Sequence, residues 1–206
     1  MSRVLRFTVC ERALHWALAV PFLVTLTTGL GLGWGDRFGM QVNHFDLRRI
    51  HIVAGVAVVA APLVVLLLAF VSGAHRRLSA TLAALGGTLA EGYLVGFSAG
   101  QQVFAGAVAA GVVLSVASGI ELWQWSWFPL AARRGAIVLH EALAYGSALA
   151  IMGHVYLAVV HRRTRWALPG IVTGWVDADR ALGARASSGG RLVDGCDTAE
   201  PARVMR

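Results

Sequence analysis

Long apolar runs alternate with short charged or Gly-rich breaks along most of this chain. A helix that crosses a bilayer needs about 20 mainly apolar residues. Four segments reach that length, about 14–34, 51–71, 102–123 and 136–160. The first closes in a Gly-rich stretch, Gly29 to Gly35. The second is nearly all Val, Ala and Leu, with Pro62 as an expected kink that neighbouring helices must accommodate. The third ends in Trp123, Trp125, Trp127 and Phe128, the composition of an interfacial aromatic belt. Residues 77–98 are milder and Gly-rich, which predicts a short interfacial helix plus loop. After Arg165 the chain turns polar, and 183–206 has the Ser, Gly and charge content of a disordered tail. The pattern predicts an all-α integral membrane four-helix bundle over residues 1–176 and a polar, flexible cytoplasmic tail over 177–206.

Composition agrees with lipid. The 206 residues are 57% hydrophobic, with a mean hydropathy of +0.65, and only 14% are charged. A soluble domain usually carries roughly a quarter charged residues. All 18 basic residues are Arg, and the net charge is +7. In a soluble protein that charge would point to nucleic acid. Here the arginines flank the apolar runs and read as membrane topology, so no nucleic-acid partner is expected. Eight of them (Arg3, Arg6, Arg12, Arg76, Arg77, Arg162, Arg163 and Arg165) fall near span ends on one side, against Arg37, Arg48, Arg49, Arg133 and Arg134 on the other. The excess puts both termini in the cytoplasm of a bacterial inner-membrane protein. The first apolar run shows no small-residue cleavage site and reads as a retained span. Cys10 and Cys196 are too few and too far apart for a disulfide framework or a thiolate cluster.

The chemistry lies in the histidines. His15 opens span one and His154 lies near the end of span four, so an antiparallel bundle puts both at one membrane face. His51 opens span two and His140 opens span four, at the opposite face. Along span four the 14 residues from His140 to His154 cover roughly 21 Å and turn back to within about 40° of the same direction. One helix thus offers two imidazoles on one stripe at two depths. Ala144, Ser147 and Ile151 lie between them and leave room for a flat macrocycle, as does Gly55 beside His51. Neutral imidazole is a common ligand of haem iron, and polar side chains within lipid need such a reason to be there. His44, His75 and His161 lie in loops or beyond a span and read as interfacial residues. Glu91, Glu121 and Glu141 read as solvated carboxylates ahead of a role in a proton path.

At these positions the chain resembles the gamma subunit of membrane-bound formate dehydrogenases, a di-haem cytochrome b556 of the prokaryotic cytochrome b561-like type. The matching stretches are Arg12-Ala-Leu-His15-Trp16, Arg49-Ile-His51, His140, His154-Val-Tyr156, Ala99-Gly100-Gln101 and Gly170-Ile-Val-Thr-Gly174, over about residues 3–176. The resemblance implies two haem b groups, with His51 and His140 as iron ligands on the periplasmic side and His15 and His154 on the cytoplasmic side. It also implies a menaquinone or ubiquinone pocket lined by Ser98, Gly100, Gln101 and His154. Ser98 stands where that family has Asn, and a hydroxyl is shorter than an amide and offers different hydrogen bonds. The implied partners are an iron–sulfur beta subunit and a molybdenum- or tungsten-containing catalytic alpha subunit, in a complex that can form higher oligomers. This chain would pass electrons to quinone and leave formate oxidation to the alpha subunit. Interfacial arginines, Arg48, Arg49, Arg133 and Arg134 at one face and Arg12 and Arg162 at the other, suit haem propionates or simply lipid headgroups and topology.

Two alternatives stay open on the residues alone. The partner could be a hydrogenase or a thiosulfate or polysulfide reductase. The chain could also be a non-redox anchor or transporter, although no internal repeat or broken helix points that way.

Overall fold

A computed structural model of the chain describes residues 3–41, 43–74, 99–177 and Arg180. Four helices dominate it: α1 (Val9–Trp34), α2 (His44–Val71), α3 (Ala99–Trp123) and α4 (Leu130–Val155). All four are long and apolar enough to cross a membrane, α4 together with a five-residue π-helical extension, Tyr156–Val160. The chain is a multi-pass membrane protein. The expected interfacial helix at 77–98 and the tail beyond Arg180 lie outside the described residues.

Each helix ends where the apolar run ends, but α1, α2 and α4 begin five to seven residues before the expected spans, and α3 three before. The early starts of α1 and α2 are polar turns with their own caps. Thr8 caps α1: its hydroxyl accepts from Glu11 N at 3.3 Å, while Glu11 Oε2 accepts from Thr8 N at 2.7 Å. Asn43 caps α2 by accepting from Phe45 N and Asp46 N. Such caps satisfy amides that a helix start leaves open, and they do so without apolar residues. At 1.5 Å per residue, α2 with its 28 residues spans roughly 42 Å, so its first turns project beyond a hydrocarbon core of about 30 Å. Pro62 lies within α2, and Pro21 lies likewise within α1.

The helices pack as a ring. α1 lies chiefly against α2 and α3 against α4, and the two pairs meet through α1–α4 and α2–α3 contacts. Trp34 Nε1 donates to the Tyr145 hydroxyl at 2.6 Å, which ties the end of α1 to the middle of α4. Buried apolar residues among those described are few and small: Ala54, Val58, Ala69, Ala136 and Val176. Large apolar side chains instead face outward along every span, as lipid contact requires. Arginines at the helix ends lie over aromatic rings, Arg37 over Trp34 and Arg133 over Trp125, within 5.2 Å of the ring centres.

One feature was not expected from the sequence. A short strand β1 (Arg3–Leu5) pairs antiparallel with β2 (Trp175–Asp177), Val4 opposite Val176. Between the last span and β2 runs a short helix α5 (Leu168–Thr173). Arg12 Nη1 donates to Val172 O at 2.7 Å, and Arg6 N and Phe7 N both donate to Gly174 O. The start of α1 and the segment after α4 are thus locked together at one end of the bundle. Gly174 makes this possible: its φ is +93°, and a Cβ there would stand 2.9 Å from the Phe7 carbonyl oxygen. Gly174→Ala is expected to weaken the ladder by roughly 1–3 kcal/mol. Limited proteolysis of detergent-extracted protein should then cut ahead of α1 faster than in wild type, while Gly33→Ala, which meets nothing within 4 Å, should behave as wild type.

Candidate functional site

Four histidines point into the ring and meet in two pairs. The His15 and His154 rings have centres 6.4 Å apart, inclined at 43°. The His51 and His140 rings have centres 6.1 Å apart and are nearly perpendicular, at 79°. These are the pairs expected from same-face placement on antiparallel helices. Helix α4 contributes one ring to each pair, α1 supplies His15 and α2 supplies His51. His15, His51 and His140 are half-buried, and His154 is more exposed.

The His51–His140 pair is held by hydrogen bonds at Nδ1. His51 Nδ1 lies 3.0 Å from Thr25 O and 3.1 Å from Thr28 Oγ1. A carbonyl oxygen only accepts, so this nitrogen carries the proton and donates. The Thr28 hydroxyl spends its own proton on Val24 O at 2.6 Å, which leaves its oxygen to accept. On the other side, His140 Nδ1 lies 3.0 Å from Ser118 Oγ, which donates to Leu114 O at 2.8 Å. Ser118 Oγ also lies 3.2 Å from Ser115 O. Thr28 and Ser118 are the buried polar side chains among the described residues, and both are spent on a histidine. Each ring then keeps Nε2 as its lone-pair nitrogen, with no hydrogen bond to any described residue.

Close approach comes from glycine. A Cβ on Gly29 would stand 3.0 Å from His51 Cε1, and one on Gly119 would stand 3.3 Å from His140 Cε1. The glycine against the His51 ring is therefore Gly29 on α1. Gly55, expected to clear space there, borders open space, with nothing within 4 Å of an added Cβ. The other pair is set by rings: His154 lies parallel to Phe104, at 6° and 5.5 Å, and His15 meets Trp16 edge-on.

The remaining candidates fall as follows. Gly100 and Gln101 lie in the first turn of α3, one turn before Phe104, at the His154 end of the bundle. Ser98 lies outside the described residues, as do His75 and Glu91. His44 pairs with Asp36 at 3.0 Å, and His161 Nδ1 lies 3.3 Å from Thr164 Oγ1, so both sit in local surface contacts away from the pairs. Arg12, a candidate for propionate, spends one nitrogen on the Val172 carbonyl. Sequence reasoning missed Thr25, Thr28, Ser115, Ser118 and Phe104. A recurring Ser/Thr-x-x-Ser/Thr-Gly signal, 22 or 23 residues before His140 and His51, marks the first four.

Does this donor set fit a haem? Two trans imidazoles on one iron, each bonded at about 2.0–2.1 Å, would have ring centres about 6.3 Å apart once the ring radius is added. Both observed separations match. Among the described residues no group of three or more His, Cys, Asp or Glu could hold a bare metal ion. A macrocycle brings four nitrogens of its own and needs only an axial pair.

A ring of membrane-spanning helices with paired imidazoles in its interior is the arrangement of a membrane cytochrome. The chain belongs to the prokaryotic cytochrome b561 family, whose model matches residues 6–174. No curated protein matches it. Family membership makes it a membrane b-type cytochrome of electron transport. Gly29→Val should push the His51 ring away; a haem held by that pair would then be retained roughly tenfold less or worse, read as haem content per chain after purification. Unchanged content would contradict the close approach of α1 to the ring.

Proposed function

We propose that this chain is the di-haem cytochrome b subunit of a quinone-linked respiratory enzyme, with a formate dehydrogenase as the partner its motifs favour. The observation that carries the di-haem reading is the pair of ring separations, 6.1 and 6.4 Å, each the span of two imidazoles on one iron. His51 and His140 would hold one haem b, and His15 and His154 the other. Bound there, haem b supplies one-electron transfer by cycling its iron between ferric and ferrous forms.

The residues of the chain hold and orient. Along α4 the two ligand positions stand roughly 21 Å apart, so the sites sit near opposite faces of the bilayer. Neutral imidazoles, protonated at Nδ1 in the His51 pair, add no charge to a low-dielectric interior. Ala144, Ser147 and Ile151 on the α4 stripe are half-buried and short enough to leave room between the pairs. Arginines at both ends of the bundle offer planar donors for carboxylates.

Quinone binding is proposed at the His154 end, with Ser98, Gly100, Gln101 and His154. Support comes from the sequence motif and from the position of the α3 first turn beside that end. The iron–sulfur beta subunit would dock at the opposite, periplasmic face, and a molybdenum- or tungsten-containing alpha subunit would oxidise formate outside the membrane. Electrons would then cross the bilayer towards menaquinone or ubiquinone at the cytoplasmic side. Ala99-Gly100-Gln101 and the Gly170–Gly174 segment favour the formate enzyme over a hydrogenase or a sulfur-compound reductase.

His140→Ala and His154→Ala test the pairing. Each variant should retain one haem per chain, a different one in each case, and membranes carrying either should lose formate-dependent quinone reduction. Equal loss of both haems from each variant, in protein that still extracts as a folded species, would contradict the pairing. Retained pairing without formate-dependent reduction in wild-type membranes would reject the formate partner alone.

A further inference from the structure

The two halves of the bundle carry the same device. In α1 the run Thr25-Leu-Thr-Thr28-Gly29 faces His51 on the next helix. In α3 the run Ser115-Val-Ala-Ser118-Gly119 faces His140 on the next helix. Residues 21–29 and 111–119 also show the same succession of half-buried, exposed and buried positions. In both runs the last hydroxyl, Thr28 or Ser118, donates to a carbonyl one turn back and accepts from Nδ1, and the following glycine lets the ring approach. Ser and Thr often bond a carbonyl four residues back in membrane helices with no further role. Here the same oxygen is turned to a second use twice, against the two rings of one pair.

We propose that Thr25 and Thr28 in α1, with Ser115 and Ser118 in α3, form a duplicated positioning shell that locks the imidazole orientation of one axial pair and sets that haem apart electronically from its neighbour. The proposal rests on the reading of the histidine pairs as haem ligands. Thr25 O and Thr28 Oγ1 hold the His51 ring, and Ser118 Oγ, itself 3.2 Å from Ser115 O, holds the His140 ring. Acceptors at Nδ1 fix which nitrogen is free, and the direction of those acceptors fixes the ring plane. The result is the nearly perpendicular setting of His51 and His140, at 79°. No hydrogen bond from a described residue reaches the His15 or His154 ring, and that pair stands at 43°, against Phe104 and Trp16.

The electronic consequence follows from the hydrogen bonds. An acceptor at Nδ1–H makes the imidazole a stronger donor. A stronger donor favours ferric over ferrous iron, so it lowers the reduction potential of the haem it serves. The acceptors at Nδ1 therefore lower the potential of the His51–His140 site. Perpendicular axial rings also give low-spin ferric haem a highly anisotropic EPR signal, distinct from that of rings closer to parallel.

The test uses the purified full-length chain with redox titration and EPR of both haems. Thr28→Val with Ser118→Ala removes both hydroxyls and keeps similar volume. The haem with the more anisotropic EPR signal should titrate at a higher potential and lose part of that anisotropy, while the second haem keeps both properties. Thr28→Val alone should give a smaller shift in the same direction, which keeps the test intact if the double variant assembles poorly. Thr28→Ser, which keeps the hydroxyl, should restore the wild-type values. Two haems whose potentials and signals do not change, or that shift together, would overturn the shell while leaving the ligand pairs standing. Wild-type protein without haem would overturn both.

Discussion

An imidazole inside a bilayer has two nitrogens to satisfy and no water to satisfy them. The rest of this architecture depends on how that demand is met. At His51 and His140 the neighbouring helix supplies acceptors for Nδ1, from a carbonyl and a hydroxyl on one turn of α1 and from the Ser115–Ser118 turn of α3. What remains is a lone pair at Nε2 on each of two facing rings. Such a pair is costly in lipid unless an electron-pair acceptor bridges it, and iron is such an acceptor. The same demand explains the helix pairing. Acceptors must come within 3.1 Å of the ring, which forces α1 onto α2 and α3 onto α4, and Gly29 and Gly119 are the positions that permit it.

Little else inside the bundle drives the helices together. Lipid tails are as apolar as leucine, so burial of apolar side chains does not favour helix contact over lipid contact. The few buried apolar residues, mostly alanines, fit that account. Order comes from polar contacts at defined heights: the Trp34–Tyr145 bond between α1 and α4, the arginines stacked on belt aromatics, and the terminal ladder. The ladder has a positional effect on the site. It joins the start of α1 to the segment after α4, the two helix ends that carry His15 and His154. Arg12, one turn before His15, and Gly174 are both part of that joint.

Much of this was legible in the sequence, because hydropathy and helical period are strong signals. The ends of all four helices follow the last apolar residues, and the histidine pairs follow from antiparallel order and a 14-residue spacing. The starts were not legible, since Thr8, Glu11 and Asn43 build helix with hydrogen bonds that a hydropathy pattern does not see. Gly55 borders open space beside His51, while Gly29 on α1, which the sequence pattern did not single out, makes room for the ring itself. The orienting hydroxyls were missed because a lone Thr or Ser in a membrane helix is ordinary. Only their recurrence 22 or 23 residues before each histidine distinguishes them. Strands of three residues, as in the ladder, carry too little pattern to be seen at all.

The most direct test of the central claim is a reduced-minus-oxidised visible spectrum of the purified chain, with haem counted against protein. Two b-type haems per chain, both low-spin, are the expected result. A single haem, or none in folded membrane-extracted protein, would contradict the claim that both histidine pairs are axial ligand sets.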